Sequence, residues 1–272
     1  YSAKEMTPKR LAELMTGIAI EYAFKPARKS DSRVILEVDG LSRKDQYENI
    51  SFKLYQGEVL GLCGLLGSGR TELALSLFGI TKQDAGKIYL DSIPVNFKSH
   101  RDAIRAGIGY VSEDRLTLGL VLQQSVSDNA VLSILDKLKN RIHFIDDYKK
   151  MKIVHQWIQD LDIKVSNTEN PISTLSGGNQ QKIVLAKWIL TQPKVLILDA
   201  PTVGVDIAAK SSIYQLIHKL AEQGISILLI SDEIPEVYYN CDRILHIEHG
   251  QIMNEYEPSK ISESFLEGVV NG

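Results

Sequence analysis

The sequence has little of what marks membrane-spanning, disulfide-bonded or nucleic-acid-binding proteins. None of its apolar runs approaches the roughly 20 residues that a membrane-spanning helix needs. Its two cysteines, Cys63 and Cys241, lie far apart and outside any metal-binding spacing, which predicts two reduced, partly buried thiols. A net charge of -3 offers no general attraction to nucleic acid or anionic membrane. The composition of these 272 residues agrees with a cytoplasmic globular protein.

The start of the chain also lacks signals. It begins at Tyr1 rather than methionine and shows no secretory pattern of basic start, apolar stretch and small-residue cleavage site. We therefore expect a fragment of a longer protein. A short helix is predicted near residues 7–15 with Gly17 as its stop, and the charged stretch around Pro26 indicates a linker.

Strand and helix patterns alternate along the remainder, which predicts a doubly wound α/β sheet. Strands are predicted at 34–38, 50–54, 59–63, 87–90, 108–111, 195–198, 226–230 and 243–247. Helices are predicted at 71–78, 101–105, 148–161, 178–190, 208–221 and 261–269. Residues from about 125 to 174 are amphipathic and lack strand patterns, which predicts a helical insertion between two core strands.

A glycine-rich loop follows the apolar strand at 59–63. Its glycines let the backbone turn with the amides pointing at an anion, and the helix that follows adds its positive end. Arginine stands where the phosphate-loop pattern has lysine, and a planar guanidinium does not replace a compact ammonium. The candidate nucleotide-binding residues are Gly64, Gly67, Ser68, Gly69, Arg70, Thr71 and Glu72.

A second motif, Leu-Ser-Gly-Gly-Asn-Gln-Gln-Lys at residues 175–182, predicts an anion-binding helix start. Ser176 is predicted to cap the helix, and the amides of Gly177 and Gly178 suit a terminal phosphate. Asn179 and Gln180 are predicted to extend the polar edge. Alone, Leu-Ser-Gly-Gly could be a mere helix cap. The apolar strand that begins thirteen residues later at Val195 and ends in Asp199 favours the anion site, because a buried strand with a carboxylate at its end commonly holds magnesium.

The glycine-rich loop, the motif at 175–182 and the strand that ends in Asp199, in this order, resemble those of the ATP-binding cassette ATPases. With Glu113-Asp114-Arg115, they resemble the second cassettes of ribose-, galactose- and xylose-type sugar importers. The resemblance implies a P-loop NTPase (RecA-like) core with an antiparallel β subdomain and an inserted α-helical subdomain that contacts a membrane partner. It implies ATP and Mg²⁺ as cofactors, with Thr71, Asp199 and Glu113 on the metal side. Leu-Met-Thr-Gly at 14–17 is similar to the end of a first cassette, so residues 1–32 are expected to be its tail and a linker, and residues 33–272 the nucleotide-binding domain.

Besides Arg70, four residues depart from the family pattern. Ala200 stands where active cassettes have the glutamate that polarises the attacking water, and Asp232 replaces the switch histidine. Glu113 stands in place of a glutamine, and Glu72 in place of a small hydroxyl near the phosphates. Ala200, Asp232 and Glu113 could be ordinary strand-end residues, but the surrounding motifs disfavour that reading. Loss of the base and the histidine predicts that this cassette's own catalytic site is degenerate, within a larger ATP hydrolase.

The resemblance also implies partners. Two cassettes of this family dimerise head to tail. Residues 176–180, the signature of the family, would therefore complete the ATP site of a first cassette or of a second copy. Asp206 would help to couple the two sites. Permease subunits and an extracytoplasmic solute-binding protein would complete the importer at the cytoplasmic face of the membrane, and no nucleic acid is expected. Tyr47 is a weak candidate for stacking on adenine.

The leading hypothesis is thus the ATP-binding domain of an importer for a monosaccharide or a similar polar solute. One alternative is a self-sufficient cassette ATPase, against which Ala200 and Asp232 speak. Another is a soluble ribosome- or DNA-associated cassette, for which a long charged arm and a basic surface would be expected. The sequence does not identify the solute.

Overall fold

The structure, a computed structural model, describes residues 33–272. The helix predicted near residues 7–15 and the linker within residues 1–32 lie outside the described residues. The described part consists of two β-sheets and a set of helices that cover them. This is the predicted α/β architecture with a separate antiparallel sheet and a helical insertion.

The smaller sheet is antiparallel, with strand order β2-β1-β4-β5. Buried and exposed residues alternate along most of β2, as expected for strands with one face against the core. Leu36 on β1 pairs with Leu54 on β2 and with Leu90 on β4, so these apolar residues meet at one level of the sheet. The strands are β1 (Val34–Arg43), β2 (Tyr47–Tyr55), β4 (Ala85–Leu90) and β5 (Ile93–Val95).

The larger sheet has the order β10-β9-β3-β8-β7-β6, and all its pairs are parallel except the last hairpin. Every residue of its central strands is buried, because helices or the smaller sheet cover both faces. The strands are β3 (Val59–Cys63), β6 (Ile108–Val111), β7 (Val195–Asp199), β8 (Ser226–Ile230), β9 (Arg243–Glu248) and β10 (Gln251–Tyr256).

Nine α-helices are present in the part of the chain that the structure describes. They are α1 (Arg70–Leu77), α2 (His100–Ala106), α3 (Val126–Val131), α4 (Leu135–Leu138), α5 (Asp147–Asp160), α6 (Gly177–Ile189), α7 (Ile207–Glu222), α8 (Ile234–Asn240) and α9 (Glu263–Asn271). A π-helical turn, Arg115–Gly119, follows β6. No helix among residues 33–272 combines the length and apolar character that crossing a membrane requires.

Two hydrophobic cores lie on opposite faces of the larger sheet. Alternate residues of β3 serve both, since Leu60 and Leu62 belong to one core and Val59 and Cys63 to the other. The first core contains α1 and the smaller sheet, and the second contains the helical insertion with α6 and α7. This division places the phosphate loop and the motif at 175–182 on elements anchored in the same sheet.

The eight predicted strands and six predicted helices are all present, within a few residues at each end. Strands β5 and β10 were missed because they are short or largely exposed, without the apolar alternation that predicts a strand. Helices α3, α4 and α8 were missed because each has at most seven residues. Both cysteines are buried, and within residues 33–272 neither forms a disulfide; burial raises the pKa of Cys63 to about 12.

Candidate functional site

The carboxyl ends of four neighbouring parallel strands form one edge of the larger sheet. Strand β3 leads into the phosphate loop, and β8, beside it, leads into Ser231 and Asp232. Strand β7 pairs with β8 and ends in Asp199, and β6 pairs with β7 and leads into Glu113. The sheet order thus brings together residues that lie up to about 170 positions apart, and a ligand site at such an edge is general for open α/β sheets.

The phosphate loop turns from β3 into α1 as predicted. Gly69 is the N-cap residue of α1 at φ +97°, a conformation that side chains rarely adopt. A Cβ there would lie 2.5 Å from the carbonyl oxygen of Gln46, so glycine is required for space as well. Thr71 and Glu72 lie in the first turn of α1 and are half-buried. The loop therefore presents the tight turn and helix start that suit a phosphate.

Arg70 does not point its guanidinium toward open space. Its Nη1 donates to the carbonyl oxygen of Ser231 at 2.6 Å, its Nη2 to that of Leu65 at 3.2 Å, and its Nε to Ser68 Oγ at 3.0 Å. The side chain is buried, with 7% exposure. Burial lowers the pKa of Arg70, and the nearby Asp232, among other negatively charged groups, opposes that shift. The expectation that this guanidinium faces the phosphates was wrong for the structure as it stands, because protein oxygens already accept from its nitrogens.

Asp199 is held between two hydroxyls. Thr71 Oγ1 donates to Asp199 Oδ1 at 3.2 Å, and Tyr110 OH donates to Asp199 Oδ2 at 2.9 Å. Burial raises the pKa of Asp199, and the two hydrogen bonds work against that rise. The predicted pairing of Thr71 with Asp199 is present, whereas Tyr110 was missed, since it is the third residue of an apolar strand and no motif marks it.

The oxygen donors beside Asp199 fit magnesium. Glu113 lines the same cavity of about 500 Å³ as Thr71 and Asp199. Hydroxyl and carboxylate oxygens are hard ligands, and Mg²⁺ is usually held by one or two carboxylates together with water and substrate phosphates. No cluster of three or more His, Cys, Asp or Glu side chains within residues 33–272 could hold a metal without such additional ligands.

Ala200 and Asp232 occupy the strand ends at which a catalytic base and a switch histidine were expected. Ala200 follows β7 with φ 45°, an uncommon conformation for a residue with a side chain. Asp232 follows β8, is exposed, and its charge acts on Arg70. Ala200 has no group that could accept a proton, and the carboxylate of Asp232 would repel a phosphate that an imidazole could contact.

A buried carboxylate that the sequence did not single out joins these strand ends. Glu236 on α8 accepts from Ser231 Oγ at 2.7 Å, from Lys210 Nζ at 3.0 Å, and from the hydroxyl of Thr202. It is 5% exposed. Because Arg70 donates to the carbonyl of Ser231, the hydrogen-bond chain reaches from the phosphate loop to the segment after Asp199. A glutamate in the first turn of a short helix carries no signal of burial.

The motif at 175–182 forms the start of α6, but two of its predicted contacts were wrong. Ser176 is the N-cap residue, yet its hydroxyl accepts from Asn179 Nδ2 at 3.0 Å rather than from a backbone amide. Gln180 is buried and donates to the carbonyl oxygens of Ile172 and Leu175, so it does not extend a polar edge. Asn179 Oδ1 accepts from the amide of Lys164. Of the predicted contact residues, Ser176 is therefore exposed, Gly177 and Asn179 are half-buried, and Gly178 is buried.

Both glycines of the motif are also packing positions. A Cβ at Gly178 would lie 2.5 Å from Ala209 Cβ on α7. A Cβ at Gly177 would lie 3.0 Å from Arg115 Nη2 and 3.1 Å from the carbonyl oxygen of Gly204. The start of α6 thus lies directly against residues 203–206 and the first turn of α7. Asp206 is the N-cap residue of α7 and accepts from the amide of Ala209 at 3.0 Å.

Tyr47 does not offer a face to adenine. Its side chain is buried in the core below the smaller sheet, with 3% exposure. The turn before it does lie beside the phosphate loop, as the contact between Gln46 and Gly69 requires. The prediction for Tyr47 was wrong because its ring fills space between the two sheets.

Comparisons with known sequences agree with the motifs. A sequence model described as ABC transporter matches residues 47–203. The chain is 43% identical over 259 residues to the ribose import ATP-binding protein RbsA of Caldanaerobacter subterraneus, covering 95% of this chain and 52% of that protein. It is 40% identical over 261 residues to the xylose import ATP-binding protein XylG of Thermoanaerobacter pseudethanolicus, covering 93% and 52%. The chain spans about half the length of the curated relatives that it matches.

Solved structures support the fold. The cbiO1 structure from Clostridium perfringens, part of an ABC transporter complex, has a TM-score of 0.71 at 24% identity and covers 87% of this chain and 94% of its own. A dimeric ATP-binding cassette in a post-hydrolysis state with ADP and Pi has a TM-score of 0.70 at 19% identity and covers 82% and 99%. At these identities the likeness concerns the fold alone.

Proposed function

This chain belongs to the ABC transporter family, whose cassettes bind ATP with Mg²⁺, and we propose that it is the ATP-binding domain of an importer for a monosaccharide or a similar polar solute. The relatives named for ribose and xylose import support the solute class. The observation that carries the proposal is the start of α6, where Ser176 is exposed and Gly177 is half-buried beside the turn at 203–206.

The chain's own phosphate loop is the weaker of the two ATP sites in this proposal. Arg70 donates to three protein oxygens, and both oxygens of Asp199 accept from side-chain hydroxyls. Nucleotide phosphates and Mg²⁺ would have to replace some of these partners. Ala200 supplies no general base after β7, and Asp232 puts a negative charge where an imidazole could contact a phosphate. These features support impaired hydrolysis at this site.

The signature serves the other site. In a head-to-tail pair of cassettes, the amides and dipole of α6 would meet the terminal phosphate of ATP held by the phosphate loop of a first cassette or of a second copy. The partner would then supply the catalytic base. This division of labour explains why the signature keeps its serine and glycines while Ala200 and Asp232 replace the base and the histidine of the chain's own site.

The remaining partners follow from the proposed activity. Permease subunits would provide the path through the membrane, and an extracytoplasmic solute-binding protein would deliver the solute. The chain would lie peripherally on the cytoplasmic face. The helical insertion at 125–174, which leaves Ile142, Phe144 and Tyr148 exposed, is the part of the fold available for contact with a permease.

A pair of variants in the assembled transporter tests the proposal. Gly177→Asp adds a negative charge where the phosphate must approach α6, so it should lower ATP hydrolysis and uptake on the order of a hundredfold. Thr71→Ala removes a hydroxyl from this chain's own magnesium side and should leave both rates within about threefold of wild type, because that site contributes little. Uptake of labelled ribose and xylose into vesicles, together with phosphate release, measures both effects.

Binding of the two variants to the permease serves as the assembly control. The proposal fails if Thr71→Ala is as damaging as Gly177→Asp, since the chain's own loop would then be essential. It also fails if Gly177→Asp assembles normally and transports at the wild-type rate.

A further inference from the structure

Arg115 connects two segments that the proposed function assigns to the partner's ATP site. Its Nη2 donates to the carbonyl oxygen of Gly204 at 2.9 Å, and its Nη1 donates to that of Val203. The guanidinium therefore holds two successive carbonyls of the turn at 203–206. The same Nη2 lies 3.0 Å from the position of a Cβ on Gly177, at the start of the signature helix α6. One side chain thus lies between the turn and the signature.

The glycines around Arg115 are shaped to this contact. Gly204 has φ +66°, and a Cβ there would lie 3.3 Å from both Nη1 and Nη2 of Arg115. Together with Gly177, it leaves a slot into which the planar guanidinium fits. Larger residues at either position would displace the guanidinium from the carbonyls.

The backbone of Arg115 is itself anchored. It begins the π-helical turn Arg115–Gly119, whose N-cap residue Asp114 accepts from the amide of Thr117 at 3.1 Å. At the other end, the carbonyl oxygen of Gly119 accepts from Lys187 Nζ on α6. The arm that carries Arg115 is therefore fixed to the signature helix, and π-helical turns occur frequently at functional sites.

The planar shape of its guanidinium, rather than an ion pair, explains why an arginine stands at position 115. Within residues 33–272, Arg115 makes no salt bridge, and its buried Nε has no hydrogen-bond partner. Its contacts are two parallel N–H groups directed at two adjacent carbonyls. A lysine keeps the charge but has no planar fork, so it cannot reproduce that pair of bonds.

We propose that Arg115 is a positioning residue that holds the turn at 203–206 against the signature glycines, so that both reach the partner's ATP as one rigid unit. The inference rests on the proposed function of the signature. It assigns Arg115 no contact with the nucleotide. Its effect passes through Val203 and Gly204, because a rigid arrangement of phosphate-facing groups determines how well the closed dimer stabilises the reacting phosphate.

Hydrogen–deuterium exchange of the assembled transporter tests the contact directly. In Arg115→Ala and in Arg115→Lys, amides at 203–206 should exchange about three- to tenfold faster than in wild type, as expected when hydrogen bonds of ordinary net strength are lost. Arg101→Ala is the matched control, since Arg101 is an exposed arginine on α2. Unchanged exchange in both Arg115 variants overturns the inference.

Steady-state ATP hydrolysis separates positioning from general destabilisation. Both Arg115 variants should lower kcat about 10- to 100-fold, with KM for ATP within about twofold, because the partner's loop sets most of the nucleotide affinity. Full recovery of kcat in Arg115→Lys would overturn the inference in favour of a simple charge effect. An unchanged kcat despite faster exchange at 203–206 would overturn the positioning role.

Gly177→Asp, measured in the same series, distinguishes the inference from the function on which it rests. If Gly177→Asp is inactive while the Arg115 variants are fully active, only the inference fails. If Gly177→Asp is fully active, the proposed function fails, and the exchange at 203–206 alone decides whether Arg115 holds the turn.

Discussion

Arg70 replaces a compact ammonium with a planar guanidinium, and its contacts follow from that shape. The three donors of a lysine share one nitrogen, whereas the three nitrogens of Arg70 reach separate oxygens of Ser68, Leu65 and Ser231. The Arg70 side chain therefore stabilises the phosphate loop through hydrogen bonds to Ser68 and Leu65 of the same loop. Arginine in place of lysine at position 70 thus keeps the positive charge but moves it to a different place in the site.

Lys187 is a second buried cation, and it gives a prediction about pH. It lies on α6, is 5% exposed, and donates to the carbonyl oxygen of Gly119. Burial lowers the pKa of Lys187 from 10.5 to about 8. Between these two values the unfolded chain binds more protons than the folded chain. The free energy of unfolding should therefore rise with pH above about 8, by up to about 1.4 kcal/mol per pH unit, and show no pH dependence from Lys187 below that.

Urea unfolding of wild type and Lys187→Met at several pH values isolates this contribution, because other titrating groups cancel in the difference between the two proteins. Wild type should gain stability relative to Lys187→Met as the pH rises from about 8 to about 10. A difference that stays constant over that range would mean that Lys187 titrates normally in the folded chain.

At the scale of the elements, helices α6 and α7 approach each other closely at Gly178. The first turn of α7 passes Gly178 so closely that a Cβ would lie 2.5 Å from Ala209 Cβ. We expect Gly178→Ala to lower the free energy of unfolding by about 1–3 kcal/mol, because the two helices must move apart. Ala209→Gly alone should cost about 0.5–1 kcal/mol through helix propensity.

A double-mutant cycle checks this packing. In Gly178→Ala combined with Ala209→Gly, the added methyl occupies the space that the other substitution vacates, so a coupling of about 1 kcal/mol or more in the favourable direction is expected. Denaturant unfolding of the four proteins measures it. Strict additivity would show that the helix start relaxes freely and that Gly178 is not a packing position.

At the scale of the whole molecule, the proposed function makes this chain one of the two cassettes that an ATP site requires. The chain alone should hydrolyse ATP roughly a hundredfold to ten-thousandfold more slowly than a complete cassette, because Ala200 cannot act as a general base. Ala200→Glu should recover part of the rate, limited by the φ of 45° at that position and by Asp232. Phosphate release by the purified chain, at concentrations that permit self-association, measures both.

A complete cassette with an intact base, assayed alongside, calibrates this comparison. Turnover by wild type equal to that cassette would contradict the proposed division of labour and favour the self-sufficient ATPase. No gain in Ala200→Glu would place the deficit elsewhere in the site, with Arg70 and Asp232 as the next candidates.

Much of the fold was predictable because its determinants are local. The buried parallel strands are short, largely apolar runs, so β3, β6 and β8 were predicted to the residue. The short helices α3, α4 and α8 depend on packing against neighbouring elements rather than on periodicity. They could not be found from patterns a few residues long.

The sequence by itself determined the order and spacing of the phosphate loop, the signature and the Asp199 strand, since glycines, a helix start and a strand-end acid act over a few residues. Only the tertiary structure decided what the side chains do there. Arg70 bonds to a carbonyl 161 positions away, and Arg115 to one 88 positions away. Glu236 became buried for the same reason: Thr202 and Lys210, 34 and 26 positions away, are brought close by the sheet, and neither residue type nor local pattern specifies partners that distant.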